Sequence, residues 1–199
     1  MRNLACLLLF LALTTPGFAN VIFTLGNNPQ ADEQNILFST DQIGSTVTGV
    51  TNQSLTLVDF SSTTDQLSVT AAGQANLTAV DTLINNITIS LPGGGSAYQD
   101  LIFNPGGTSA SATVIVTTND GVFDFTYDLG NGQNFLTITT SGGEIISSTT
   151  INSNAGFEEL RQPRISGISG GTAAVPEPAT FALLAMGLVG LAVLRRRMK

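Results

Sequence analysis

Between Asn20 and Val175 the chain alternates apolar and small polar residues with a period of two, in short runs. Val122 to Leu129 is the clearest of them. Phe123, Phe125, Tyr127 and Leu129 fall on one side, and Asp124, Thr126 and Asp128 on the other. Successive side chains of a strand point to opposite faces, so this pattern predicts one packed face and one wet face. The same reading predicts strands over Val21–Leu25, Ile36–Phe38, Val47–Val50, Ser54–Phe60, Gln66–Ala71, Ala75–Val80 and Leu83–Leu91. The series continues with Leu101–Phe103, Thr113–Thr117, Phe135–Thr140, Glu144–Ile151 and Phe157–Ile165. Turn signals separate the runs: Gly93-Gly94-Gly95, Asn104-Pro105-Gly106-Gly107, Asn119-Asp120-Gly121, Gly130-Asn131-Gly132 and Ser141-Gly142-Gly143.

Many short strands with frequent turns, and no amphipathic helical pattern, predict an all-β body over 20–167. The expected architecture is a β-sandwich with jelly-roll-like topology. Pattern alone leaves the strand order open.

The two ends read differently. Residues 1–19 have the form of a secretory signal peptide: Arg2, an apolar stretch from Leu4 to Leu13, and small residues at Gly17 and Ala19. Cleavage is expected between Ala19 and Asn20. Cys6, the one cysteine, lies inside the apolar stretch and would be discarded with it. At the other end, residues 168–174 are, after Ile168, all small, with Gly170 and Gly171 among them, which predicts a flexible linker. Val175, Pro176, Glu177 and Pro178 follow, then a chargeless apolar run from Phe181 to Leu194, then Arg195, Arg196, Arg197 and Lys199. Fourteen residues of helix cover about 21 Å, short of the ~30 Å hydrocarbon core, and flanking residues can make up the difference. The expectation is a single transmembrane helix with its basic stop in the cytoplasm.

This tail resembles the PEP-CTERM sorting signal of Gram-negative bacteria that make extracellular polysaccharide. Motif, apolar helix and basic terminus stand in that order over 175–199. The resemblance implies that exosortase, a membrane protease, cuts near Val175–Pro178 after signal peptidase and the secretion machinery have acted. An ordinary tail anchor would give the same topology. Gly132–Ile138 and Leu160–Gly167 also look like segments of PEP-CTERM ectodomains, a likeness that names no activity.

Charge narrows the function. Between Asn20 and Val175 lie thirteen acidic and two basic residues, a balance of −11. Such a body repels nucleic acid and anionic surfaces. That segment has no Cys, so no disulfide supports it, and no His. Ser-His-Asp and Cys-His mechanisms are therefore excluded, as is an ordinary zinc site. A carboxylate pair for glycoside hydrolysis remains, but the chain has no Trp, and its Phe and Tyr residues mostly fall on core positions.

No cofactor is required by these residues. Calcium is the cation for which they offer a candidate site: Asn27, Asp32, Glu33 and Asn35, with Asn119, Asp120 and Asp124 as a second cluster. The same residues also serve ordinary turns. Arg161 and Arg164 stand three apart, with Pro163 expected to break the strand register between them. They would either pair with acidic neighbours or make bidentate contacts to a uronic-acid polysaccharide.

The resulting expectation is a non-enzymatic exported protein. It would pass through an inner-membrane intermediate, held by its C-terminal helix, to the cell surface or extracellular matrix. There it would associate with exopolysaccharide, biofilm or floc. The alternative is a calcium-dependent carbohydrate-binding module, and a glycan-active enzyme is more remote.

Overall fold

The computed structural model describes residues 20–71, 73–93, 96–107 and 110–169. Signal peptide, sorting motif and apolar tail therefore lie outside the described residues. The described residues fold as fifteen strands. They are β1 (Asn20–Leu25), β2 (Gln34–Phe38), β3 (Gln42–Gly44), β4 (Thr46–Thr51), β5 (Leu57–Ser61), β6 (Leu67–Val69), β7 (Gly73–Gln74) and β8 (Asn76–Ala79). The chain continues through β9 (Ile84–Ser90), β10 (Asp100–Gly106), β11 (Ala110–Thr118), β12 (Val122–Leu129), β13 (Leu136–Ser141), β14 (Ile146–Phe157) and β15 (Glu159–Ser166).

Every pairing is antiparallel, and the strands form two packed layers. One runs β1-β13-β10-β15-β8-β6-β3, the other β12-β11-β14-β9-β5-β4-β2 with β7 at its edge. The short strand β2 joins them, pairing with β15 through Gln34 and Asn35 and with β4 through Ile36 and Leu37. From β8 onward the chain passes repeatedly between layers, as in a jelly roll. The protein is an all-β sandwich.

The two inner faces make one continuous core. Ile36, Phe60, Leu77, Ile87, Phe103, Val114, Ile138 and Phe157 are all fully buried in it. Tyr98 is the largest of the fully buried side chains; its hydroxyl donates to Thr149 Oγ1 at 2.9 Å. Burial removes water that would solvate its phenolate, pushing its pKa well above the ordinary range.

Most predicted strands form close to where the alternation places them, with instructive exceptions. β12 has the expected inward set, yet Phe123 and Phe125 are only part-buried because β12 is a layer edge. Phe125 instead stacks on Phe23 of β1, ring centroids 5.2 Å apart, so the two edge strands meet across the sandwich. Asn104-Pro105-Gly106 does not turn: β10 runs through it, opposite Arg161, Leu160 and Glu159. Strand β3 lacks a long enough apolar alternation to be read from sequence.

The run expected at Ser54–Phe60 starts only at Leu57, because residues 52–56 are spent on the β4–β5 turn. Side chains hold that turn densely. Gln34 Oε1 accepts from Ser54 N and Oγ, both at 2.8 Å, Asn52 Oδ1 accepts from Asn35 N at 3.0 Å, and Thr51 Oγ1 accepts from Thr56 N at 2.9 Å. Within it Leu55 has φ of 56°, a left-handed conformation that costs a side-chain-bearing residue on the order of 1 kcal/mol.

Gly49 in β4 brings the backbone close against the core. A Cβ there would lie 2.6 Å from Ile36 Cγ2 and 3.2 Å from the Leu37 carbonyl oxygen. Gly49→Val is expected to lower unfolding stability by about 2 kcal/mol, since the layer cannot open without displacing buried Ile36. Urea denaturation would show an unchanged midpoint if β4 had slack.

Register also fixes which parts share an end. Asp59, Ser90, Ser148, Thr117 and Val122 form one row across the second layer. Beyond that row lie Leu57, the β4–β5 turn and Ile146, and Ile146 bridges to Tyr98. Neighbouring Ala97 bridges to Ser169, the last described residue. In the first layer Asn20 pairs with Ser141, at the end where Asp100 pairs with Ser166. Both described termini therefore leave the sandwich from one end.

Candidate functional site

Among the residues singled out for chemistry, Arg164 organises a compact polar cluster. On β15, Gln162 takes a left-handed φ of 52°, and the pairing with β10 shifts register between Ile102 and Asn104. This bulge follows from Pro163, which cannot donate to the ladder. Arg161 and Arg164 thus both avoid the buried side taken by Leu160 and Ile165. Arg161 pairs with Glu159 at 3.0 Å. Arg164 lies more deeply, its side chain 13% exposed, with Nη1 on Glu33 Oε1 and Nη2 donating to Asn27 Oδ1. Its guanidinium also sits 5.9 Å from the centroid of Phe135.

This arrangement bears directly on the calcium candidates. Glu33 and Asn27 do come together, but around a guanidinium. Glu33 Oε2 also accepts from Gln30 N at 3.1 Å. Asn35 turns to Gln74, accepting at 3.1 Å, and Asp32 occupies a left-handed turn position at φ 57°. A divalent ion would have to displace a paired arginine, so these residues as arranged do not fit calcium. In the second cluster Asn119 Oδ1 accepts from Ile145 N at 2.9 Å, while Asp124 stands outward on β12. Among the described residues, no group of three Asp or Glu side chains gathers that could hold a metal ion.

Other carboxylates hold the fold. Asp65, on the loop after β5, accepts at Oδ2 from Thr64 Oγ1 (2.8 Å), Ser62 Oγ (3.1 Å), Asn85 N (2.9 Å) and Asn86 N (3.2 Å). Burial works to raise its pKa, but these four donors outweigh burial and hold it below the usual carboxylate range. Glu144 is buried on Thr118 Oγ1, Asp59 accepts from Thr48 Oγ1 at 2.7 Å, and Asp100 accepts from Ser166 Oγ at 2.6 Å.

Beside the Arg164 cluster an open cleft of about 340 Å³ runs past Leu25, Asn27, Tyr127, Asp128, Asn134 and Phe135. Burial pushes the Tyr127 pKa well above its ordinary value, and its hydroxyl, sealed from solvent, has no protein partner. Sequence reasoning gave no sign of this cleft, because Asn27 and Asn134 meet only through the fold. The signal-peptidase residues Gly17 and Ala19, the motif Val175, Pro176, Glu177 and Pro178, and the basic stop Arg195, Arg196, Arg197 and Lys199 lie outside the described residues. Asn20, which would follow the cleavage, opens β1. Among the described residues no helix is long and apolar enough to cross a membrane; the helix expected at Phe181–Leu194 lies beyond them.

The sandwich and the tail together define an all-β protein that carries a C-terminal sorting signal. The signal is the PEP-CTERM protein-sorting motif, whose family model matches residues 174–197. It implies a secreted protein that is processed by exosortase and bound to the membrane in transit. No curated protein matches the chain. Among solved structures, a variant of the family 29 carbohydrate-binding module CBM29-2 aligns at 10% identity and a TM-score of 0.25, over 81% of this chain and 99% of that one. The family 11 carbohydrate-binding module of the cellulosomal cellulase Lic26A-Cel5E of Clostridium thermocellum aligns at 10% identity and 0.26, over 76% and 89%. The enzymatically active domain of tailspike protein 4 of bacteriophage CBA120 aligns at 12% identity and 0.22, over 75% and 18%. Likenesses this loose carry no ligand or activity to this chain.

Proposed function

We propose that the protein is an exported, non-enzymatic surface or matrix component, cut by exosortase and retained in exopolysaccharide, biofilm or floc. The sorting motif at 174–197 is the observation that carries this reading. The acidic body supports it in two ways. Its charge keeps it soluble and away from nucleic acid. Its cations and many of its carboxylates are engaged in holding the fold: Arg164 with Glu33, Arg161 with Glu159, and Asp65, Asp59, Asp100 and Glu144 in hydrogen bonds. Arg164 is thereby occupied, whereas Arg161, 35% exposed, meets Glu159 through Nε alone.

The test is mass spectrometry of the protein recovered from the extracellular matrix of producing cells. The mature chain is expected to begin near Asn20 and end near Pro176–Pro178. Recovery of chains that still contain Phe181–Lys199 would defeat the sorting reading. Recovery from culture medium alone, with none in the matrix, would defeat the matrix role.

A further inference from the structure

We infer that the sandwich end bearing both termini rests against the bilayer while the chain is still tethered, and that Leu55, Leu57 and Val122 are its lipid contacts. The inference rests on the membrane-bound intermediate that the sorting motif implies.

Leu55 is 71% exposed, Leu57 52% and Val122 66%, three of the seven large apolar side chains exposed among the described residues. All three lie on or beyond the row that leads through Ile146, Tyr98 and Ala97 to Ser169. From Ser169 to Phe181, where the apolar run begins, is twelve residues, at most about 43 Å of fully extended chain. The body therefore stays within that reach of the bilayer, and the end carrying Ser169 is the one attached to it.

Leu55 adds a second, independent argument. It stays mostly exposed in the fold, yet it is held in a left-handed conformation that glycine would occupy without strain. Hydrogen bonds on either side, from Gln34, Asn52 and Thr51, keep the turn in that shape. A rigid turn that spends backbone strain to hold leucine in solvent presents that side chain to something outside the fold. The turn holds no lysine or arginine, so an apolar contact fits and electrostatic attraction to anionic headgroups does not. Three side chains bind a membrane weakly by themselves. Tethering raises their effective concentration to the millimolar range, where weak contacts fill.

The chain has no tryptophan, so one introduced tryptophan reports its own surroundings. Leu55→Trp and Val80→Trp are compared as full chains reconstituted without exosortase in zwitterionic phosphatidylcholine vesicles, which spare the acidic body the repulsion of anionic lipid. Val80 is the control: it is 57% exposed and follows β8, at the opposite end where Glu159 pairs with Thr78 and Gly106. The Leu55→Trp emission is expected to shift to the blue and to be quenched about twofold more than Val80→Trp by brominated lipid. Equal quenching at the two positions in chains that float with the vesicles would overturn the inference and leave the tether intact. Chains that fail to float would overturn the tethered intermediate and the inference with it. Blue-shifted emission only when exosortase is added would assign the turn to a protein contact and overturn the lipid one.

Discussion

Arg164→Ala is expected to lower the unfolding free energy by about 3 kcal/mol. Arg164 and Glu33 are 13% and 14% exposed, so removing the guanidinium strands a carboxylate that keeps little water. Breaking a buried pair from one side costs roughly 3–5 kcal/mol, and the residual exposure here argues for the lower figure. Asn27 also loses its charged donor, and Phe135 the cation beside its ring. The loss should appear in urea denaturation as a lower midpoint with an unchanged slope. A change under 1 kcal/mol would mean that the pair behaves as an exposed one. The pairing also predicts that millimolar calcium leaves the wild-type Tm unchanged, since the best-placed carboxylate is already neutralised.

Asp65→Ala is the second large effect, again about 3 kcal/mol at neutral pH. It removes the acceptor for the part-buried N–H groups of Asn85 and Asn86 at the start of β9, and leaving a donor unsatisfied costs about 1–3 kcal/mol when it is fully buried and less here, summed over two. The pH dependence has a definite sign. Because the folded carboxyl is held below its ordinary value, its contribution is fully present above the unfolded value of about 3.9. It fades as pH falls through the lower folded value. The stability gap between wild type and variant should therefore be constant from pH 5 to 7 and narrow in acid. A gap that widens on acidification would contradict the hydrogen-bond account.

Much of the fold was legible because period-two alternation is a local property. β12 can be read from eight residues without knowing its neighbours. What escaped depends on contacts distant in sequence. The β4–β5 turn takes Ser54–Thr56 out of an apolar run because Gln34, twenty residues earlier, binds Ser54. Asn104–Gly106 stays extended because β15 lies beside it, overriding strong turn residues.

The candidate chemistry divided in the same way. That Pro163 would break the register between the arginines was readable from proline's missing N–H. That Glu33 and Asn27 would meet Arg164, more than 130 positions away, was not. The cluster proposed for calcium looked vacant in sequence because its cation arrives from the other end of the chain. The sorting signal, by contrast, is linear, and order along the chain suffices to recognise it.

The pairing of β1 with β13 has a kinetic consequence for export. Asn20 meets Ser141, about 120 positions later, and β10, the next strand inward, is also distant in sequence. A chain threading outward from its N-terminus cannot close the first layer until almost the whole body has crossed. Closing so long a loop is entropically costly, and non-local β-topologies fold slowly for that reason. The order of the strands therefore predicts that local pairs such as β4–β5 form early, while the first layer closes, and compaction is completed, only once β13 has reached the far side.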